Sequence, residues 1–400
     1  MLAHVVLMLS NLLFTVSSDP EMSMTVPQII DRWGYPFESH EVITEDGYIL
    51  SIFRITHGLN SSDSVRTCPP IIMDPSLLCD SSEFIMNPPE SSPAMILADA
   101  GFDVFLMNHR GTTYSRKHRD FSTSDSRYWK FTIDEYAKYD NTAVIDYVLN
   151  LTSDTSLYWL GHSQGTTLGF MMLSERLDYN KKIRAMFQIA PPGTAHFARG
   201  LVRIILLIYH ITKPLTDLYQ LTMGSHEVGI SNRAIPQMIT SFFCATPYID
   251  QICRGAMHFL LGPQSMSFNL SRWPVYVSHL PSSTSSWNML HWFQIATHEK
   301  LEHFSGKHSG NSDLPLDTAY DLSRVLAPVY IFCSSSDWLV TPRDIEEDLL
   351  PLLKRGVVKG VFRVPGYNHL DFVLATDNAE KVFSRIIDIV EKQETDIRKL

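Results

Sequence analysis

The chain has 400 residues and a formal net charge of −10, and 44% of its residues are hydrophobic and 19% charged. This composition is typical of a folded globular protein and argues against disorder; the length exceeds the ~250–300 residues at which a single core stops growing, so we expect either one core with a large insertion or two domains. The negative charge, without a lysine and arginine stripe, argues against a nucleic-acid partner.

The amino terminus carries an apolar stretch, residues 5–16, followed by small residues. This pattern predicts a secretory signal over residues 1–18, and a buried helix is the alternative. The stretch is too short for a stable membrane anchor, and no later segment reaches transmembrane length. We therefore expect a secreted protein, extracellular or lysosomal, without a transmembrane anchor.

The chain contains three sequons, which fit a secretory route, and five cysteines. Asn60, Asn150 and Asn269 lie in acceptor sequences for N-glycosylation. Cys244 and Cys253 bracket a short segment that Pro247 can turn, so these two thiols are candidates for pairing. The odd number of cysteines leaves at least one unpaired; Cys68, Cys79 and Cys333 lie in contexts that suit buried thiols.

Five short apolar runs rich in β-branched and aromatic residues predict strands. They cover residues 69–74, 102–108, 156–161, 185–190 and 328–333. Stretches with helical spacing, such as residues 135–149, lie between them. The alternation predicts an α/β fold with a mostly parallel central sheet and helices on both faces.

The alternation stops after Ala190. Residues 193–322 form an interval far longer than an ordinary connection, which predicts an inserted, mainly helical subdomain between two parts of the core, residues 19–192 and 323–400. Within the insertion, the very apolar residues 201–211 favour a buried helix; a wall or lid for a lipid chain is the open alternative.

The stretch "GHSQG" places Ser163 between Gly161 and Gly165, after a predicted strand and before a helix-compatible segment. This is the context of a nucleophile elbow, in which a sharp turn exposes a reactive serine. The glycines allow strand and helix to approach closely around the turn. We predict that Ser163 is a nucleophile rather than an ordinary turn residue.

A serine hydroxyl needs a histidine to accept its proton and a carboxylate to orient that histidine. In this fold they follow in the order serine, acid, histidine. Asp337 and His369 each follow a predicted strand in that order. We predict that they complete the triad, that Asp371 is structural, and that the side chain of His162 points away from the reaction.

"HEKLEH", residues 298–303, looks like a zinc-protease helix, but its two histidines are five residues apart. Since a helix turns about 100° per residue, they do not share a face. We therefore expect no metal catalysis at this segment.

Several stretches resemble the animal acid lipases of the gastric and lysosomal type, over nearly the whole mature chain. They are "IIDRWGYPFESHEVITEDGYIL", "ADAGFDVFLMNHRGTTYSRKH", "GHSQGTT", "NMLHW" and "YNHLDF". The resemblance implies an α/β-hydrolase core with a helical cap and lid that hydrolyses triacylglycerols or cholesteryl esters without a cofactor. It assigns Ser163 as nucleophile, His369 as base and acid, and Asp337 as the orienting carboxylate.

The resemblance also implies that the oxyanion hole consists of the backbone amides of Leu77 and Gln164, and that Cys244 and Cys253 form a disulfide in the cap. The sequence departs from the family in two places. Pro75-Ser76 replaces His-Gly beside the oxyanion hole, where Ser76 would be strained if the backbone needed positive φ. Three serines replace glycines before the acid, and a loop displaced by their side chains would shift Asp337 relative to His369.

The sequence thus predicts a secreted, glycosylated serine ester hydrolase that acts on fatty-acyl esters at a lipid interface. The alternative is a catalytically impaired relative that binds lipid in the same pocket, which the altered oxyanion segment would favour. The choice of ester, the pH optimum and the oligomeric state stay open.

Overall fold

The structure is a computed structural model that describes residues 19–59, 69–229, 244, 250–305 and 318–399. The predicted signal, Asn60 and Cys68 lie outside the described residues.

The strands of the central sheet are β1 Phe37–Ile43, β2 Tyr48–Ile55, β3 Pro70–Asp74, β4 Asp103–Leu106, β5 Lys117–His118, β6 Leu157–His162, β7 Ile183–Ile189, β10 Val329–Cys333 and β11 Val358–Arg363, and β8 Glu227–Gly229 and β9 Ser283–Ser285 form a separate pair. The strand order in the sheet is β1-β2-β4-β3-β6-β7-β10-β11, with β5 paired to β2. The pairs from β4 to β11 in this order are parallel, whereas β1 with β2 and β2 with β4 are antiparallel.

This sheet confirms the predicted α/β fold, and each of the five predicted strands is present. The central strands β3 and β6 are buried along their whole length, which is why they appear in the sequence as continuous apolar runs. Strands β1 and β2 were not predicted. Most residues of β1 are exposed or half-buried, so its sequence lacks a strong apolar pattern.

The α-helices belong to the core and to the segment between β7 and β10. They are α1 Val26–Arg32, α2 Pro93–Asp99, α3 Ile133–Glu135, α4 Asn141–Thr152, α5 Gln164–Glu175, α6 Gly200–Met223, α7 Asp250–Leu261, α8 Trp273–His279, α9 Ser286–His298, α10 Asp371–Leu374 and α11 Ser384–Ile397. A π-helical turn, Tyr136–Asp140, joins α3 to α4, so the predicted helix at 135–149 is continuous. Further π-helical turns are Asp344–Leu349 and Ala379–Phe383. Within the described residues, none of the helices combines the length and the apolarity that a membrane span requires.

A mainly helical segment that contains α6 to α9 lies between β7 and β10. We propose that it is the cap, with the boundaries 193 and 322 that the sequence indicates. Cys244 and Cys253 form a disulfide within it, with their Cα atoms 5.7 Å apart. Cys79 and Cys333 are buried free thiols.

The apolar helix α6 is only partly buried, so the preference for a buried helix was wrong for one of its faces. Leu206 and Tyr209 are buried, whereas Ile204, Leu207 and Ile208 are exposed. The buried side of the helix lines a cavity, as described below.

Candidate active site

Ser163 lies in a strained turn between β6 and α5. Its backbone has φ 51° and ψ −117°, a conformation that costs a non-glycine residue roughly 1–3 kcal/mol. Gln164 is the first residue of α5, so its N–H has no acceptor within the helix. The turn thus presents a serine side chain next to an available backbone donor.

The two glycines of the motif allow the chain to approach itself closely. A Cβ on Gly161 would lie 2.6 Å from the carbonyl carbon of Gly165, and one on Gly165 would lie 2.3 Å from the carbonyl oxygen of Asp74. Any larger residue would push α5 away from the ends of β3 and β6. The glycines therefore set the position of the turn.

Asp337 and His369 are brought together after β10 and β11. His369 Nδ1 lies 2.8 Å from Asp337 Oδ2, and both side chains are buried. The backbone N–H groups of Leu339 and Val340 donate to Asp337 Oδ1 over 2.9 and 2.8 Å. The serines before Asp337 do not move its carboxylate out of reach of His369.

The second nitrogen of His369 is available for proton transfer. Its Nε2 is buried and has no hydrogen-bond partner among the described residues, so its bond to Ser163 is not formed in this structure. His369 and Ser163 line the same cavity. With the Nδ1 proton directed to Asp337, Nε2 retains its lone pair.

The rival carboxylate, Asp371, does not contact the His369 ring. Its Oδ2 accepts the backbone N–H of Asn368 over 2.7 Å. Burial raises the pKa of Asp371 to about 6. The contact fits the predicted structural role, because it fixes the loop that carries His369.

The predicted oxyanion segment borders the cavity beside the serine, and Leu77 and Gln164 both line it. Ser76 does not adopt positive φ, so the expected strain at this residue was wrong; the left-handed residue is Leu78, with φ 59°. Leu78 is held there from the cap, since its carbonyl accepts the N–H of Ser282 over 2.6 Å.

The side chain of Gln164 connects the serine turn to cap helix α9. Its Oε1 accepts hydrogen bonds from Asn288 Nδ2 over 3.1 Å and from Trp292 Nε1 over 2.8 Å. These two residues are four apart and so lie on one face of α9. They are the ends of the "NMLHW" stretch, whose role the sequence alone did not reveal.

The cavity has a volume of about 540 Å³ and an apolar lining. Val202, Ile205 and Leu206 of α6 and Phe293 of α9 form part of its wall. Among the described residues that line it there is no aspartate, glutamate, lysine or arginine. The volume lies within the ~300–1,000 Å³ range of small-molecule sites, and the lining suits an uncharged apolar ligand.

His298 and His303 do not face a common site. His298 Nδ1 lies 2.6 Å from Glu302, whereas His303 Nε2 lies 2.9 Å from Glu175 of the core. Throughout the part of the chain that the structure describes, no group of three or more His, Cys, Asp or Glu side chains is placed to hold a metal ion.

The two described sequons differ in accessibility. Asn150 is exposed near the end of α4. Asn269 is half-buried, and its Oδ1 accepts the hydroxyl of Ser271 over 2.7 Å. Glycosylation at either position stays a prediction.

Asp344, the first residue of the π-helical turn Asp344–Leu349, contacts the start of the cap. Thr341 Oγ1 accepts its N–H over 3.4 Å. Its carboxylate accepts the N–H groups of Gly193 and Thr194, over 2.7 and 3.2 Å. Burial raises the pKa of Asp344 to about 7.

We expect Asp344 to make the fold less stable as pH rises from about 4 to about 7. Aspartate in an unfolded chain ionises near pH 3.9, so across this range the folded protein binds more protons and its free energy of unfolding falls with pH. Asp344→Asn should flatten this decline by up to about 1.4 kcal/mol per pH unit. Urea unfolding at several pH values measures the slope. Exposed Asp388 on α11 provides the control Asp388→Asn; an unchanged slope in Asp344→Asn would contradict the assignment.

Comparison with known proteins places this site in a family. A model described as "Partial alpha/beta-hydrolase lipase region" matches residues 26–88, and one described as "alpha/beta hydrolase fold" matches residues 87–211. Lipase lipl-1 of Caenorhabditis elegans is 37% identical over 94% of both chains. Gastric triacylglycerol lipase of Bos taurus is 33% identical over 94% of this chain and 93% of its own.

Among solved structures, a bacterial membrane phospholipase A has the same fold, with a TM-score of 0.51 at 12% identity, over 98% of this chain and 97% of its own. That likeness concerns the fold alone. The sequence relatives carry the stronger result, because a third or more of the residues are identical over nearly the full length of each. The chain therefore belongs to the animal acid lipase family and is a carboxylic-ester hydrolase of the lipase type.

Proposed function

We propose that the chain hydrolyses fatty-acyl esters of neutral lipids, such as triacylglycerols or cholesteryl esters, through an acyl-enzyme on Ser163. The observation that carries the proposal is the buried Asp337–His369 pair, whose histidine lines the same apolar cavity as Ser163. An impaired, lipid-binding role has less support, because the altered Ser76 does not adopt the positive φ that would have marked strain.

In the first half-reaction, Ser163 Oγ attacks the ester carbonyl carbon while His369 Nε2 takes the hydroxyl proton. The imidazolium that forms is stabilised by Asp337, which also fixes its orientation. His369 then returns the proton to the departing alcohol oxygen as the carbon–oxygen bond breaks. The acyl group stays on Ser163.

We propose that the negative oxygen of the tetrahedral intermediate accepts hydrogen bonds from the backbone N–H groups of Leu77 and Gln164. Such donors favour the transition state because charge develops on this oxygen only during the reaction. In the second half-reaction, water gives a proton to His369 and attacks the acyl carbon. The fatty acid leaves and Ser163 recovers its proton.

The cavity supports an uncharged substrate with a long apolar chain. Its described lining carries no acidic or basic side chain other than His369. A charged substrate would lose hydration there without gaining a partner. The bovine relative, named a triacylglycerol lipase, makes triacylglycerol the first substrate to test.

An exposed apolar row on α6 supports action at a lipid surface. Five residues at the spacing i, i+3, i+4, i+7 and i+11 lie along one face of the helix and are all exposed: Ile204, Leu207, Ile208, Ile211 and Leu215. The opposite side of the same helix lines the cavity. Binding through this row would place the cavity next to the lipid.

We expect Ile211→Glu with Leu215→Glu to reduce adsorption to triacylglycerol emulsions about tenfold or more. These side chains are 78% and 70% exposed, so the new carboxylates oppose insertion into lipid but do not place charge in the protein core. Co-sedimentation measures adsorption, and turnover of a short soluble ester should stay within about twofold. Ile397→Glu, at an exposed site on α11 of the core, is the control. Equal adsorption of all three proteins would contradict the role of the row.

We also propose that the chain enters the secretory pathway and functions outside the cell or in lysosomes. The apolar amino-terminal stretch, the sequons and the Cys244–Cys253 disulfide support this location. Secretion from animal cells, with removal of residues 1–18 and a mobility shift on deglycosylation, would test it.

Fluorophosphonate labelling of the folded protein tests the nucleophile directly. The probe phosphonylates activated serines, and peptide mass spectrometry locates the adduct. We expect modification at Ser163 that is lost in Ser163→Ala. A folded protein that stays unlabelled, or is labelled elsewhere, would contradict the proposed acyl-enzyme.

A further inference from the structure

A buried cluster behind the proposed oxyanion segment is not used in the chemistry described above. Glu83, in a short 3₁₀ turn at Ser81–Phe84, is fully buried. Its Oε2 accepts the N–H of Ser76 over 2.9 Å, and its Oε1 accepts the Ser76 hydroxyl over 2.6 Å. The same Oε1 lies 2.7 Å from Nδ1 of His162.

The partners of His162 indicate that its ring carries both protons. Nδ1 faces the carboxylate of Glu83, and Nε2 lies 3.0 Å from the carbonyl oxygen of His369. An ionised carboxylate and a carbonyl only accept hydrogen bonds, so both ring nitrogens must donate. Glu83 and His162 therefore form a buried ion pair.

The electrostatic balance agrees with this protonation. Burial alone would raise the pKa of Glu83, but His162 and the donors on Ser76 outweigh burial and lower it. Burial alone would lower the pKa of His162, but Glu83 outweighs burial and raises it. Each charge is thus maintained by the other.

The pair connects three segments of the site. Ser76 directly precedes Leu77, the proposed oxyanion donor; His162 directly precedes Ser163; and the carbonyl that His162 contacts belongs to His369. The His162 and His369 rings are also stacked, with centroids 5.1 Å apart. A shift of Glu83 would therefore move the Leu77 amide relative to the serine.

We propose that Glu83, through Ser76 and His162, is a positioning residue that aims the Leu77 amide at the reacting oxygen. Ser76 stands where the family usually has glycine, and its hydroxyl gives Glu83 a second donor beside the backbone N–H. The serine therefore contributes to the position of the Leu77 amide instead of impairing it. The inference rests on the proposed roles of Ser163 and Leu77.

Glu83→Gln and Ser76→Ala test the inference with a soluble fatty-acyl ester. We expect Glu83→Gln to lower kcat about 100-fold with KM within about twofold, because a misdirected oxyanion donor affects the transition state and not ground-state binding. Affinity for a trifluoromethyl ketone, which forms an oxyanion on addition of the serine, should fall by the same factor. Ser76→Ala, which keeps the backbone N–H, should lose less, about tenfold.

Glu90→Gln, at an exposed glutamate seven residues along, is the control for loss of charge. In the Ser76→Ala/Glu83→Gln double variant the loss should equal that of Glu83→Gln alone, since both act through one contact. If Glu83→Gln has a lowered thermal midpoint but an unchanged kcat per folded molecule, the positioning role is overturned and Glu83 has a purely structural role.

Nitrogen-15 NMR of His162 tests the pair independently of turnover. Two protonated ring nitrogens at about pH 7 are expected in the wild type; a neutral ring would overturn the inference even if the enzyme is active. Absent labelling at Ser163 would instead contradict the proposed function. A labelled, active wild type whose Glu83→Gln and Ser76→Ala variants keep full kcat would contradict the positioning role alone.

Discussion

Replacement of Ser163 by alanine is expected to lower kcat for ester hydrolysis on the order of 10⁶-fold. Without the hydroxyl no acyl-enzyme can form, and the remaining donors and the cavity support only a slow direct attack by water. Alanine keeps the Cβ and therefore the same backbone strain, so the substitution leaves the turn unchanged and the folded state should keep its stability. Initial rates on a soluble fatty-acyl ester, with protein at high concentration, measure the loss.

Ser174→Ala is the matched control for this experiment. Ser174 is a buried serine on the same helix, α5, and its hydroxyl donates to the carbonyl of Met171 over 2.8 Å. This variant should keep kcat within about twofold. A Ser163→Ala protein that is folded and retains more than about one per cent of the wild-type rate would exclude the serine mechanism.

The sequence was sufficient for five strands of the sheet, and it indicated the residues of the proposed triad, because both depend on local patterns. A buried parallel strand needs a continuous apolar run, as in β6, and the turn after it needs small residues around Ser163. Asp337 and His369 were then indicated because each follows a predicted strand, in the order acid and then histidine. The structure adds the 2.8 Å contact that joins these two side chains.

Contacts between segments that are distant in the chain could not be predicted from local sequence patterns. Glu83 contacts His162, 79 positions away, and Gln164 contacts Trp292, 128 positions away, and neither pair has a spacing that a local pattern could reveal. The replacement at Ser76 looked like a defect because its partner, Glu83, was unknown.

The exposed face of α6 was missed for a different reason. Apolar residues are usually buried, so an apolar helix is first interpreted as core. In α6 one side faces the cavity and the other is exposed, and the sequence of such a helix is apolar on both sides. Its surroundings, rather than its own residues, distinguish a cavity wall from a buried helix.

Asp337→Asn is expected to lower kcat about 10⁴-fold while leaving the fold intact. The asparagine amide has nearly the same shape, and its oxygen can still accept the N–H groups of Leu339 and Val340. Its NH₂ group would then face His369 Nδ1, which favours the tautomer with the proton on Nε2, where it cannot accept the serine proton. Loss of the negative charge also removes stabilisation of the imidazolium.

Asp371→Asn distinguishes the orientation of His369 by Asp337 from a general effect of removing a carboxylate near the His369 loop. Asp371 is also buried and lies two residues from His369, but its carboxylate contacts the backbone of Asn368 instead of the imidazole. We expect less than a tenfold change in kcat, measured on the same ester as for Asp337→Asn. If Asp371→Asn lost as much activity as Asp337→Asn, the orienting carboxylate would not be assigned to Asp337 alone. If only Asp371→Asn lost activity, the order of serine, acid and histidine would not hold in this chain.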